Sequence, residues 1–365
     1  MDAQELYKKG EALRTASRFR DAGAVFRQAL EVVSPSDSAL RLLLWKRLGD
    51  CLRMVGDFAG AKQAYGEALV LAQDMRDDLE VADCLVGFGL AQRGLGELEE
   101  ARKKFEKAQE VYEEYDDPEG EAFTLWALGG LFRVMGELKK AREALGEALF
   151  LFEHLDDPSG IGYCHCGLGG LERVVGNFED SLKHYHTAYT IFQEIGDRFG
   201  QAYSFCGVGN AHRMMGHFSE ALECFQKAAA LYEDIGDEVS YAWTLWSWGT
   251  ALKVLGRFQE AKEKLEAAFG LFERTRDTRG IVYYLLSMAE IAFLEGEQEE
   301  ALGLLEKAQS NLAGKPFRVE QLHLRLYRWV LVGGEEMEFE EIRSEYQKIG
   351  MKFPFSLPSF PINIP

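Results

Sequence analysis

The stretch WKRLGDCLRMVGDFAGAKQAYGEAL, residues 45–69, decides the fold. Gly49 stands seven residues before Gly56, and Ala61, Tyr65 and Ala68 follow Gly56 at five, nine and twelve. Separations of three, four and seven fall on one face of a helix, so the stretch predicts a helix ending near Gly56, a tight turn, and a second helix packed on the first. Working outward, Gly56, Gly96, Gly136, Gly176, Gly216, Gly256 and Gly296 are each 40 residues apart. Seven residues upstream stand Gly49, Gly89, Gly129, Gly169, Gly209, Gly249 and Ala289; twelve downstream stand Ala68, Ala108, Ala148, Ala188, Ala228, Ala268 and Ala308. An earlier copy has Gly10 and Ser17 in the two glycine slots.

Each copy therefore reads as helix A, turn, helix B. Small residues let the paired helices approach, and the bulky slot nine after the marker glycine (Tyr65, Phe105, Leu145, Tyr185, Phe225, Leu265, Leu305) fills the gap between copies. Turns such as YDDPEGEA, LDDPSGIG and IGDRFGQA return the chain to the next helix A, with Asp, Pro and Gly suited to turns and helix starts.

This set of positions resembles the tetratricopeptide repeat. The 40-residue period is similar to the subclass found in Gα-regulator scaffolds, kinesin light chains and bacterial transcriptional regulators of the maltose type. Ser181, Ala289 and Gln298 depart from the pattern without opposing the fold. The expectation is an all-α, right-handed superhelical solenoid. About eight helix pairs span residues 3–312, a degenerate capping pair spans 316–350, and a proline-rich apolar tail spans 351–365. The capping pair would cover the last copy's apolar edge.

The chain has 365 residues, 47% hydrophobic and 12% aromatic, ample for a large core, and carries a formal net charge of −19. That field disfavours nucleic acid and anionic membranes as partners. Apolar runs of bilayer length are absent, the beginning MDAQELYKKGEAL is charged, and six cysteines lie scattered without a disulfide spacing; together these predict a cytoplasmic protein with no membrane partner.

The resemblance implies that helix A lines the concave face. With the upstream glycine as position 8, the groove stripe is positions 2, 5, 9 and 12. Position 12 holds Arg53, Arg93, Arg133, Arg173, Arg213 and Lys253, a ladder of cations in an acidic chain. Position 2 supplies Phe123, Tyr163, Tyr203, Trp243 and Tyr283; position 5 supplies Trp126 and Trp246. Position 9 is often small (Gly130, Gly170, Asn210, Thr250), a floor that leaves room for a ligand.

The expected site is thus Phe123, Trp126, Tyr163, Tyr203, Trp243, Trp246 and Tyr283 as anchors, Asn210 as a backbone clamp, and Arg133, Arg173, Arg213 and Lys253 for acidic side chains or a terminal carboxylate. The partner is a protein or peptide in extended form. The competing account for the early rungs is local pairing with Asp57, Glu97 and Glu137, four residues on.

Some of the same residues invite a catalytic or metal reading. Cys164 and Cys166 sit two apart on a helix and point to different faces, so with His165, His184 and His186 they do not form a metal site. The glycine cluster at 167–170 lies inside helix A and not between a strand and a helix, so it is no phosphate loop. Neither an enzyme nor a cofactor is expected. Two other functions stay open: a single-stranded RNA regulator using the aromatic and arginine rows, and a ligand sensor or assembly subunit that self-associates through residues 353–365. That tail, with Phe353, Phe355, Leu357, Phe360, Ile362 and Ile364, is too apolar for an idle linker and is expected to dock on the protein's own groove, a second copy or a partner.

Overall fold

A computed structural model describes residues 2–352 and 361–365. Among these are eighteen helices and no strand. The A/B pairs are Ala3–Thr15 with Phe19–Val32, Ser38–Met54 with Phe58–Met75, Asp78–Gly94 with Leu98–Glu114, and Pro118–Met135 with Leu138–His154. They continue as Pro158–Val175 with Phe178–Ile195, Arg198–Met214 with Phe218–Ile235, Glu238–Val254 with Phe258–Thr275, and Thr278–Leu294 with Gln298–Leu312. Helices Arg318–Val332 and Glu336–Lys348 follow. The described helices include none long and apolar enough to cross a membrane.

The 40-residue period has a backbone cause. All seven marker glycines have φ between 74° and 102°, where a side chain is strained, and each closes helix A before helix B begins. A second marker sits at the other turn: Asp77, Asp117, Asp157, Asp197, Asp237 and Asp277 each accept a backbone N–H from the first turn of the following helix A. Such caps stabilise a helix by about 1 kcal/mol each.

Packing explains the remaining slots. A Cβ on Gly49 would lie 2.9 Å from the Tyr65 ring, and one on Gly209 would lie 2.8 Å from Phe225, so the upstream glycine is where helix A meets the bulky residue of its own helix B. Tyr65 and Tyr185 also reach forward onto Gly87 and Gly207 of the next copy, joining neighbours. The twelfth-position alanines are all buried.

The solenoid winds tightly enough to touch itself. Gly56, in the turn of copy two, lies against Val239 and Thr275 of copy seven. Arg20 pairs with Glu238 at 3.1 Å. Gly96 meets Phe317, Gly136 meets Arg318 and Val319, and Lys352 N–H donates to the Val175 carbonyl at 2.8 Å. The extended concave surface expected of the repeats is consequently a channel, because its rim closes on itself. Phe317 and the helix after it serve the coil on two sides, packing on the last repeat and on the early turns.

Candidate functional site

Inside the coil is a cavity of about 1070 Å³. Arg53, Arg93, Arg133 and Arg173 line it, with Tyr163, Tyr203, Trp243 and Trp246 among the aromatic neighbours. The chain concentrates cations on the inner wall of a molecule whose net charge is −19. One turn of helix A separates position 8 from position 12, so each guanidinium leaves the last turn of its helix toward the axis.

The carboxylates four residues on from the early rungs are engaged elsewhere. Glu97 binds Lys62 at 2.6 Å, Glu137 binds Lys140 at 2.6 Å, and Asp57 caps its helix at the Gly60 N–H. Arg53, Arg93, Arg133 and Arg173 form no ion pair among the described residues. The Nε atoms of Arg53 and Arg173 are buried with no hydrogen-bond partner among the described residues. Arg93 donates to the Ala127 carbonyl at 3.3 Å. Burial, then the neighbouring Arg53 and Arg133, pull Arg93 down to about 10, which is the electrostatic signature of like charges crowded together without counter-ions.

Position 9 lines the cavity at Gly130, Gly170 and Asn210 and also seats the cations. Gly130 leaves room for the Arg93 guanidinium of the preceding copy, and Gly170 lies beneath Arg133. The cation of one copy thus crosses position 9 of the next. In copy eight that position is Glu290, which pairs with Lys253; both side chains are fully buried. Glu290 is the channel residue that sequence reasoning passed over, although its signal was present: a carboxylate in a slot that is small or neutral in copies three to seven.

The predicted anchors divide by exposure. Phe123 is exposed at 41% and stacks on Trp126 with centroids 5.5 Å apart; Trp126, Tyr163, Tyr203 and Trp243 are half-buried; Trp246 and Tyr283 are buried. Much of their polar capacity joins copies: the Tyr163 hydroxyl donates to Asp197 at 2.7 Å, and Trp243 Nε1 donates to Asp277 at 2.8 Å, in both cases the cap of the next helix A. Trp126 and Trp246 donate to the carbonyls of Tyr163 and Tyr283. Arg93 lies 5.9 Å from the Trp126 ring centre and Arg213 5.7 Å from that of Trp246, in cation–π range.

Asn210 donates to the Cys206 carbonyl at 3.0 Å and accepts from Arg213 Nη2 at 3.1 Å, so its amide orients Arg213. Arg213, fully buried, in turn holds the tail: its Nη2 donates to the Ile364 carbonyl at 3.1 Å and its Nη1 to the Asn363 side-chain oxygen. Lys253 donates to the Ile362 carbonyl at 3.0 Å. Residues 361–365 therefore lie in the protein's own channel. The expectation for the tail falls partly on 353–360, which lie outside the described residues.

At Cys164, His165 and Cys166, both cysteines are buried and His165 meets His184 through their Nδ1 atoms at 2.9 Å. The described residues include no group of three or more metal-binding side chains.

Tetratricopeptide repeat models match residues 7–78, 79–153 and 164–234, well over half of the sequence, and the chain belongs to the tetratricopeptide repeat family. A comparison with curated proteins finds no match. Among solved structures, the chain is similar to a Rap protein complexed with competence and sporulation factor, at 16% identity and TM-score 0.68 over 95% of this chain and 98% of that one. It is similar to the Rap conjugation gene regulator of plasmid pLS20 in complex with the Phr* peptide, at 12% identity and TM-score 0.63, with 95% of each chain covered. It is also similar to NprR in complex with its cognate peptide NprX, at 14% identity and TM-score 0.62 over 96% of this chain and 98% of that one. At these identities the likeness is one of fold.

Proposed function

We propose that the channel receives an extended, acidic peptide segment of a partner protein, and that the chain is a scaffold or regulator of other proteins, not an enzyme. One observation carries this reading: Arg53, Arg93, Arg133 and Arg173 face a single cavity without a carboxylate partner among the described residues. Carboxylates bonded to guanidinium groups give strong, two-pronged hydrogen bonds, and the half-buried rings beside the ladder suit the apolar side chains between them. That the three similar folds were solved as complexes with a peptide or with competence and sporulation factor supports the same reading.

Two of the buried thiols are poor candidates for a catalytic nucleophile. Burial lifts the Cys84 and Cys164 thiols to about 12, so these sulfurs stay protonated and poorly nucleophilic at neutral pH.

The test is fluorescence anisotropy with a labelled peptide alternating glutamate and leucine, against a control in which lysine replaces glutamate. The acidic peptide should bind, more weakly as salt rises, and Arg133→Glu with Arg173→Glu should remove binding while helical circular dichroism is kept. Equal binding of both peptides, or wild-type affinity in the double reversal, overturns the proposal.

A further inference from the structure

We infer that residues 361–365 are an exchangeable occupant of the channel, a built-in competitor that excludes other segments from the end of the ladder at Arg213 and Lys253. The inference rests on the channel-binding reading and adds its regulation.

The seat reads the main chain. Ile362 N–H donates to Glu290, its carbonyl accepts from Lys253 Nζ at 3.0 Å, and the Ile364 carbonyl accepts from Arg213 Nη2 at 3.1 Å. Asn363 closes a two-way contact with Arg213, donating to its carbonyl at 2.9 Å and accepting from its guanidinium. The side chains of Ile362 and Ile364 are buried at 2% and 1% exposure, and Pro365 lines the same cavity as the four unpaired arginines. A ligand running down the ladder from Arg53 therefore meets this segment.

Two features make the occupant replaceable. Departure of the tail leaves Lys253 on Glu290 and Arg213 on Asn210, so the seat keeps its charges held. The acceptors that the described tail residues offer to Arg213 and Lys253 are neutral oxygens, whereas a carboxylate makes a charge-assisted bond roughly twice as strong. An acidic segment has the chemistry to win the same cations, opposed by a tail whose tether keeps its local concentration high.

The test uses the full chain with Ile362, Asn363 and Ile364 each changed to glycine, beside wild type. Two labelled probes are titrated: the hexapeptide of residues 360–365, FPINIP, and the acidic peptide described above. The hexapeptide should enter the glycine variant and not wild type, and adding Arg213→Ala should abolish its binding. The acidic peptide should bind the variant at least tenfold tighter than wild type. A hexapeptide that binds both forms alike, or neither, overturns the inference. So does an acidic peptide that binds both forms with one affinity, although the channel reading then survives. An acidic peptide that binds neither form sinks the channel reading, and the hexapeptide result alone then decides whether the seat exchanges its occupant. Should the glycine variant lose its helical signal, wild type decides: saturating acidic peptide should expose the Ile362 amide to hydrogen exchange, and unchanged protection refutes exchange.

Discussion

Arg213 Nη2 donates to the carbonyl oxygen of Ile364 at 3.1 Å, across 151 residues of chain. The same guanidinium is the fifth rung of a ladder whose previous four rungs have no ion pair among the described residues. Burial, then the nearby Arg173, lowers Arg213 to about 9, so its neutral oxygen partners leave the charge only partly compensated.

This difference splits the effect of reversing rungs. Arg173 is half-buried and its Nε has no partner among the described residues, so Arg173→Glu should leave unfolding free energy within about 1 kcal/mol of wild type while removing the acidic probe. Arg213→Glu places a carboxylate against the Ile364 and Asn210 oxygens in a fully buried site and should cost about 3 kcal/mol or more. Urea titration of both variants checks the contrast; equal stabilities would contradict the burial argument.

Lys253 and Glu290 form a fully buried pair. Lys253→Met alone leaves the buried carboxylate without its counter-ion and should destabilise by about 3–5 kcal/mol, whereas Lys253→Met with Glu290→Leu should recover most of that loss. A double-mutant cycle in urea reads the coupling. Additive losses would show that the two side chains do not depend on each other.

Two glycines inside helices give opposite expectations. A Cβ on Gly207 would overlap the Tyr185 ring, so Gly207→Ala should destabilise by about 1–3 kcal/mol. Gly146 lies within the helix Leu138–His154 with nothing within 4 Å of its would-be Cβ, and Gly146→Ala should stabilise by about 0.5–1 kcal/mol. Thermal melts of the pair measure this, and the same sign in both would defeat the packing account.

His323 is buried beside the Tyr346 hydroxyl, 2.7 Å from its Nδ1, and burial, then Arg279 and Arg173, lower it from 6.5 to about 3. Between those values the unfolded chain binds a proton that the folded chain does not, so stability falls as pH drops through this window. In His323→Gln the slope between pH 6 and 4 should flatten by up to about 1.4 kcal/mol per pH unit. Asp237, raised to about 6 by burial, contributes the opposite slope, but in both proteins, so it cancels in the comparison. Parallel stability curves would exclude His323 as the source.

The periodic part of the molecule was readable because it is enforced locally. A left-handed turn demands a glycine such as Gly136, and a crossing of helices demands Gly49 beneath Tyr65, so the pattern repeats wherever the geometry does. The inward aim of Arg93 or Arg133 follows from helical spacing alone. The contacts that close the coil join residues from unrelated slots, Gly56 with Val239 and Thr275 or Gly96 with Phe317, and no period marks them. The use of Gly130 to seat Arg93, and of Glu290 to answer Lys253, depends on the offset between adjacent copies, which one copy's pattern does not contain. The tail was legible as a segment too apolar to stay in water, with the protein's own groove as one of its expected docking places, while its address at Arg213 was not.

Because the turn of the second repeat rests on the seventh, this spiral has a fixed gauge. Excising one 40-residue unit between the second and the seventh would leave the other neighbour-to-neighbour interfaces in place and still slide Gly56 away from Val239, and with it the diameter of the bore. In an open array of repeats, units are added and lost freely; here the number of units is itself part of what shapes the chamber.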